Sequence, residues 1–599
     1  MFFTTFNPMT TEEVDAKVAA AKPKGGDGIG GVLAGKRFKL KLTGEFAPSQ
    51  LDYSFGADGT LRVTENGEEY AAVPYGTIQP RCGIVLFTHT IPGTSRGWHI
   101  VIDMETSLTT AFETWFGITV PVGGDIMGTR PPTHYRDIPR ETQRQYYFGY
   151  VDDGRLAPEK LHCTTNRIEG RGLLWEYYDG RRCLTFFPSV ACSTFVSLDE
   201  PSDMLAVTYP SDFICVNDEL YIYAKWGVEF GGEMWLNVID FSVLKAVGVK
   251  FGFNEKDEFE YGLYTAALTV TGDAAHLEMI TDYGLKPPMS AFLKGKGARY
   301  AYRPMDIDVP MTRAEAFEAA KKKTLYNLDE AEFMGANRLP FSHHLVGKRF
   351  ALAFDHVETP YAWSAKNTPE RLPLAYEYDF ASHDELKWRE PGGEWQTEKY
   401  RCFEPAKDIY FFSHMLTGFP DFANVTQAVD FSNGLATCVY ARIGSWTSEW
   451  EASATCLFGT ASGENIALPP FGKRHGFTTD LVGKSYAWSY SNQGNSIHVY
   501  SSPVSYSWSI FQPDNAGGAT WSCPCFFIKL RDDAYLFQWI EEKCNGIQSI
   551  VCFNPRTMHD SGFSYGVNRH SGLQLNVMGA YARRLGSFDI MKYYDKSGV

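Results

Sequence analysis

The chain has 599 residues, is 44% hydrophobic and 15% aromatic, and carries a formal net charge of −15. Its length exceeds what one hydrophobic core organises and calls for several domains. The acidic balance supplies no basic patch for phosphates, which excludes nucleic acid and anionic membrane surfaces as expected partners. The 12 cysteines are scattered without a CxxC pair, Cys523-Pro-Cys525 being the nearest approach, so they read as core thiols rather than a zinc site.

In chain order, residues 1–30 read as a helix and extension. The stretch MFFTTFNPMTTEEVDAK lacks the basic flank, apolar run and cleavage site of a signal peptide, and no apolar run approaches the roughly 20 residues of a membrane span; a cytoplasmic protein is expected. Residues 31–145 open on AGKRFKLKL (34–42) and residues 341–475 on VGKRFALAF (346–354). Residues 146–300 contain GRGLLWEYYDG (170–180), and residues 476–599 open on VGKSYAWSY (482–490). Between the pairs, residues 301–340 form a helical linker in which TRAEAFEAAKKK (312–323) has capping-box spacing from Thr312 to Glu315; Pro-Met-Thr precedes both helices.

The openings are the visible ends of a tandem duplication. Residues 53–89 align with 378–414 without gaps at an offset of 325, and 170–180 with 483–493 at 313. ELYIYAKW (219–226) aligns with DAYLFQWI (533–540) at 314. Runs such as IVLFTH, HIVID, IYFFSH and AYLFQW alternate or run apolar and are punctuated by Gly, Pro, Asn and Asp, which predicts antiparallel meanders. Closing such meanders removes free edges, so the expected fold is all-β, with four barrels as a duplicated pair and a short helix starting each copy.

Gly-Lys-Arg-Phe opening one barrel, a WxY after Gly-Lys opening the next, a DxxYLFxW strand and a closing GAYAxxL together resemble the MoaF family, whose members pair an N-type and a C-type calycin-like barrel. The resemblance covers nearly the whole chain twice, with residues 482–585 the most specific part. It implies N-type barrels at 31–145 and 341–475 and C-type barrels at 146–300 and 476–599. More distantly, the barrels resemble phenolic acid decarboxylases, lipocalin-like barrels that work without a cofactor. That likeness implies two alternating tyrosines for the substrate carboxylate, and an Arg and a Glu for the phenol and the proton. Here the tyrosine pair is broken: Ala351 and Ala353 follow Gly347, while Trp488 and Tyr490 follow Gly483 and Trp175 and Tyr177 follow Gly170. Arg389 and Glu398 fall where the Arg and Glu belong.

The candidate catalytic residues are His414, Glu398, Arg389 and His89. His89 and His414 align in the two N-type barrels, and an imidazole facing a lumen suits general-base work. The C-type barrels carry Lys225 and Trp539 at that position. Arg389 and Glu398 read as a pair, the guanidinium holding an anionic oxygen and a carboxyl of raised pKa donating a proton. Tyr400, Tyr75, Trp175, Tyr177, Trp488 and Tyr490 are the candidate substrate-binding aromatics. No dinucleotide fingerprint, phosphate loop, HExxH or GxSxG is present, so no cofactor and no metal are expected. The expected function is a cofactor-independent lyase or isomerase on a phenolic small molecule in secondary metabolism or aromatic catabolism. The alternatives are a non-catalytic lipocalin-like carrier and a structural interaction protein. The expected state is a monomer with internal pseudo-twofold symmetry.

Overall fold

The computed structural model describes residues 9–26, 31–44, 46–117, 141–154, 156–189, 192–199, 204–227, 232–254, 256–274, 313–322, 324–329, 334–360, 369, 371–443, 452–492, 494–512, 515–541, 547–568 and 572–594. Strands dominate them. Of the two predicted helices, Thr11–Ala20 carries a complete capping box: Glu13 N–H donates to Thr10 Oγ1 at 3.2 Å and Thr10 N–H to Glu13 Oε2 at 2.7 Å. The other spans Arg313–Lys322; its expected cap, Thr312, lies outside the described residues.

The first sheet has nine strands between Arg37 and Val151. Arg37–Thr43 pairs with Leu51–Phe55 on one side and with Glu141–Val151 on the other. The latter strand therefore runs across the boundary at 145 drawn from the sequence. A second sheet of 19 strands runs from Cys163–Thr164 to Gly572–Phe588 and contains two closed rings. Arg171–Tyr177 pairs back onto Phe259–Ala274, closing the 171 barrel, and Lys484–Ser489 pairs back onto Gly572–Phe588, closing the 484 barrel. Between them in sequence, Arg349–Glu358 to Ala452–Gly463 form the closed 349 barrel. The architecture is all-β with three closed eight-stranded barrels beside the first sheet.

Many strands are apolar on both faces, because each barrel buries an interior and also packs its outer wall on a neighbour. In Leu220–Gly227, Tyr221 and Tyr223 point inward among Trp175, Phe187 and Phe213. Ile222, Ala224 and Trp226 point outward against Leu86, Val101 and Phe112 of the first sheet. Likewise Leu536 and Ile540 pack outward against Phe411 and Val439 of the 349 barrel.

The two halves of the chain meet through equivalent residues. Gly272, Asp273 and Ala274 pair antiparallel with Phe588, Ser587 and Gly586. Gly272 is required there, since a Cβ would stand 2.1 Å from the Ser587 carbonyl oxygen. Thr208 and Ser522 share a 2.6 Å hydroxyl–hydroxyl hydrogen bond and stand 314 positions apart, the offset that relates the two copies. Among the described residues no helix is long and apolar enough to cross a membrane.

Candidate functional site

At one end of the 171 barrel the inward side chains leave a cavity of about 230 Å³. Its apolar walls are Tyr177, Phe195, Tyr209 and Trp235, and Lys225, from the strand Leu220–Gly227, also lines it. Strand parity puts the lysine there: it follows Tyr221 and Tyr223 on the inward face, where an aromatic would continue the pattern. Its ammonium lies 4.2 Å from the ring centre of Phe195, 5.0 Å from Tyr209 and 5.1 Å from Trp235.

Lys225 is 6% exposed, and among the described residues it makes these ring contacts but no ion pair and no hydrogen bond. Each cation–π contact is worth about 0.5–2 kcal/mol, while removing an ammonium from water costs several. Desolvation wins, and the amine's pKa falls from its usual 10.5 to about 8; the Cys183 thiol and the Glu233 charge oppose the fall, and the Lys250 and Arg181 charges add to it. At pH 7 roughly a tenth of such amines are neutral. The group is thus both a cation that attracts anions and a base within reach of neutrality.

Three other charged groups of the lining, Lys250, Glu233 and Arg181, have partners. Lys250 Nζ meets Glu233 Oε1 at 2.5 Å and also pairs with Glu260, and Trp235 Nε1 donates to Glu233 Oε2 at 2.7 Å. Arg181 pairs with Asp179 at 2.7 Å and lies 5.7 Å from the Trp235 ring centre. Cys183 also lines the cavity, its thiol pushed by burial up to about 11 and so protonated at neutral pH.

Two of the candidate aromatics belong to this site. Tyr177 lines the cavity, in edge contact with Trp235 at 6.1 Å, and Trp175 stacks on Tyr177 at 6.1 Å with its indole N–H unpaired. Trp488 and Tyr490 are buried at the equivalent strand of the 484 barrel, a separate interior.

The remaining candidates have other tasks. His414 Nδ1–H donates to the Met415 carbonyl at 2.8 Å, and its Nε2 lone pair accepts the Tyr378 hydroxyl at 3.0 Å, which in turn accepts from Gln427 at 3.0 Å. His89 repeats the arrangement with Thr90 and Tyr53, at 3.1 Å each. Burial lowers both imidazoles to about 4. Their lone pairs are occupied, so each reads as a neutral structural bridge in place of a general base.

Arg389 and Glu398 are not brought together. Glu398 faces inward on the parity of Tyr400, and its carboxylate accepts from the Thr417 backbone and hydroxyl at 2.9 and 2.7 Å, while burial raises its pKa. Arg389 lies on the opposite, outward face, bonded to Glu377 at 2.6 Å and resting on Trp395. Such a half-exposed pair contributes little, and Arg389→Ala is expected to shift stability by under about 1 kcal/mol in a urea melt. Tyr400 donates to the Ser382 carbonyl at 2.8 Å, and Tyr75 has an unpaired hydroxyl against Phe55 in the first sheet.

In the sequence Lys225 figures only as the C-type counterpart of the candidate histidines and not as a site residue; its signal is a lone lysine inside the apolar run YIYAKW. The duplicate makes the contrast plain. Lys225 pairs with Ser211 and Trp235 across its ladder, Trp539 with Cys525 and Ser549 at the same place in the 484 barrel. Trp539 is 4% exposed, stacked on Phe537 at 4.8 Å with its N–H on Glu541 at 2.7 Å. A tryptophan stands where the first copy keeps its amine. Among the described residues no group of three or more His, Cys, Asp or Glu is placed to hold a metal.

Comparison with known proteins matches the MoaF N-terminal domain to residues 324–445 and the MoaF C-terminal domain to residues 475–587. No curated protein matches the chain. Among solved structures, the β-propeller domain of Nup133 from Vanderwaltozyma polyspora aligns over 82% of this chain and 99% of its own at 9% identity, with a TM-score of 0.09, too low to bear on the fold.

Proposed function

From the premise that residues 324–587 belong to the MoaF family, an N-terminal domain followed by a C-terminal domain, we propose that the chain is two such pairs in tandem, the nine-stranded sheet being a fourth calycin-like barrel, and that it acts as a cofactor-independent lyase or isomerase on an anionic, phenolic small molecule. The 171 barrel is the reaction vessel and Lys225 its proton carrier. The ligand's ring lies among Tyr177, Tyr209 and Trp235, and its anionic oxygen meets the Lys225 ammonium. A proton then passes between Nζ and the ligand, giving ring closure, isomerisation, hydration or loss of carboxylate through a phenolate- or enolate-like species. What carries this reading is the single observation of an unpaired, buried amine poised near neutrality in an aromatic cup. The chain works as a monomer whose internal copies stand about a pseudo-twofold axis.

The carrier reading draws on a different observation. Proton transfer at two sites of a substrate calls for a second acid–base group, and Glu233, a carboxylate of the lining, is held by Lys250 and Trp235. A cup whose amine has no free acid–base partner beside it binds without converting.

The test is incubation of the purified full chain, without cofactor, with hydroxycinnamates, chalcones and related unsaturated phenols, followed by ultraviolet absorbance and chiral chromatography. Loss of conjugated absorbance that Lys225→Met abolishes supports the enzyme. Tryptophan quenching without turnover leaves the carrier. In either case affinity for an anionic phenol is expected to hold at neutral pH and to fall as pH rises through about 8, as the amine loses its charge; a fluorescence titration from pH 6 to 10 reads it.

A further inference from the structure

We infer that Lys225 captures an aromatic aldehyde or ketone covalently, as an imine, inside the 171 barrel. The inference rests on reading the cup as a site for aromatic small molecules and adds the carbonyl to the substrate class.

Three features of the cup point to it. The amine ends a flexible stem, in a space of about 230 Å³, with no acceptor among the described residues to hold its protons. A lysine whose purpose is to sit beside an anion needs no aromatic enclosure, whereas the faces of Phe195, Tyr209 and Trp235 surround Nζ at 4.2–5.1 Å and stabilise an iminium as they do an ammonium. Enclosure by these rings desolvates the amine and favours its uncharged form, the one that attacks carbonyl carbon, against the opposing pull of Glu233 and Cys183. A flat conjugated ring on the carbonyl lies against the same walls.

The step balances without any further reagent. The Nζ lone pair forms a C–N bond to the carbonyl carbon while the C=O π pair goes to oxygen, which takes a proton from the attacking nitrogen. The carbinolamine then loses its hydroxyl as water, the second nitrogen proton leaving with it, and the C=N bond forms. Nothing is oxidised or reduced.

The experiment uses the full chain, para-hydroxybenzaldehyde below stoichiometry and sodium cyanoborohydride, with intact mass and peptide mapping as readout. One benzylamine adduct is expected, on the peptide holding Lys225, at least tenfold above any exposed lysine such as Lys36 or Lys348. It is absent in Lys225→Arg. If that variant fails to fold, para-hydroxybenzoate added to the wild-type chain is expected to protect Lys225 alone. Labelling spread evenly over surface lysines, or an unlabelled Lys225 in a chain whose tryptophans the aldehyde quenches, overturns the inference. Turnover of a carbonyl-free phenol without trapping overturns the imine and leaves the proton-transfer reading standing. Trapping without turnover does the reverse.

Discussion

Replacing Lys225 by methionine removes binding of an anionic phenol and, in the same protein, raises stability at neutral pH. The two effects share one cause. A cation 6% exposed, ringed by aromatic faces and with too little opposing charge from Glu233 to offset its desolvation, is a charge the fold bears at a loss, which is why its pKa stands at about 8 against the usual 10.5. In the unfolded chain the amine binds its proton up to the higher value. Between about pH 8 and 10.5 the unfolded state therefore holds more protons, and stability climbs with pH through that window; below it the penalty is fully present. At about 1.4 kcal/mol per pH unit, the methionine variant is expected to gain on the order of 2–3 kcal/mol at pH 7, in a urea melt reporting the 171 barrel, and to lose most of that gain by pH 10.5. Methionine fills the lysine's volume and makes good sulfur–aromatic contacts with the cage. A variant that is destabilised at pH 7 shows that the ammonium has a partner the cage contacts do not represent.

His414 is expected to behave in the opposite way. His414→Ala removes a ring buried at the centre of the 349 barrel, leaves the Tyr378 hydroxyl without an acceptor and opens a cavity, for a loss of about 3–4 kcal/mol. Chemistry in the 171 barrel is expected to continue unchanged when measured at a temperature where the variant stays folded. Loss of turnover with unchanged stability reinstates His414 as a base. The wild-type chain has a related acid sensitivity. His89, His162 and His414 are lowered by burial to about 4, and His99, His475 and His498 to about 3. Each stays neutral in the fold and takes a proton on unfolding near 6.5. Their stability is complete above that value and is lost as pH falls toward 4, visible as a steep drop in melting temperature between pH 6.5 and 4.

The duplication and the strand-rich architecture were legible because they are written in periodicity, which a single chain displays against itself. The closing strand Glu141–Val151 was placed across a boundary because nothing in sequence marks which of two neighbouring sheets a buried strand joins; that is settled by pairing with Arg37–Thr43. The site was partly legible. Tyr177 and Trp175 follow from the alternating pattern at a barrel opening; Tyr177 lines the cup and Trp175 stacks on it. Arg389 and Glu398 were paired by analogy of position, yet strand parity puts them on opposite faces, a fact recoverable only with the register of Leu386 against Glu398 in hand. His89 and His414 looked chemical because imidazoles often are; their hydrogen-bond partners, Tyr53 and Tyr378, lie on other strands and cannot be seen along the chain. The sequence shows Lys225 only as the counterpart of His89 and His414; that it stands without an ion-pair partner among aromatic rings depends on Phe195, Tyr209 and Trp235, which lie on other strands.

The junction between the halves bears on how the two cups came to differ. A surface that meets its own equivalent, Thr208 against Ser522 and Asp273 against Ser587, is the geometry by which two identical subunits associate. In a dimer of separate subunits every substitution is made twice, so a lysine in one cup imposes a lysine in the other and the fold bears two buried charges. A covalent joint frees the copies from that rule. One lumen was able to keep its amine at the expense of stability while the other carries Trp539 at the same place.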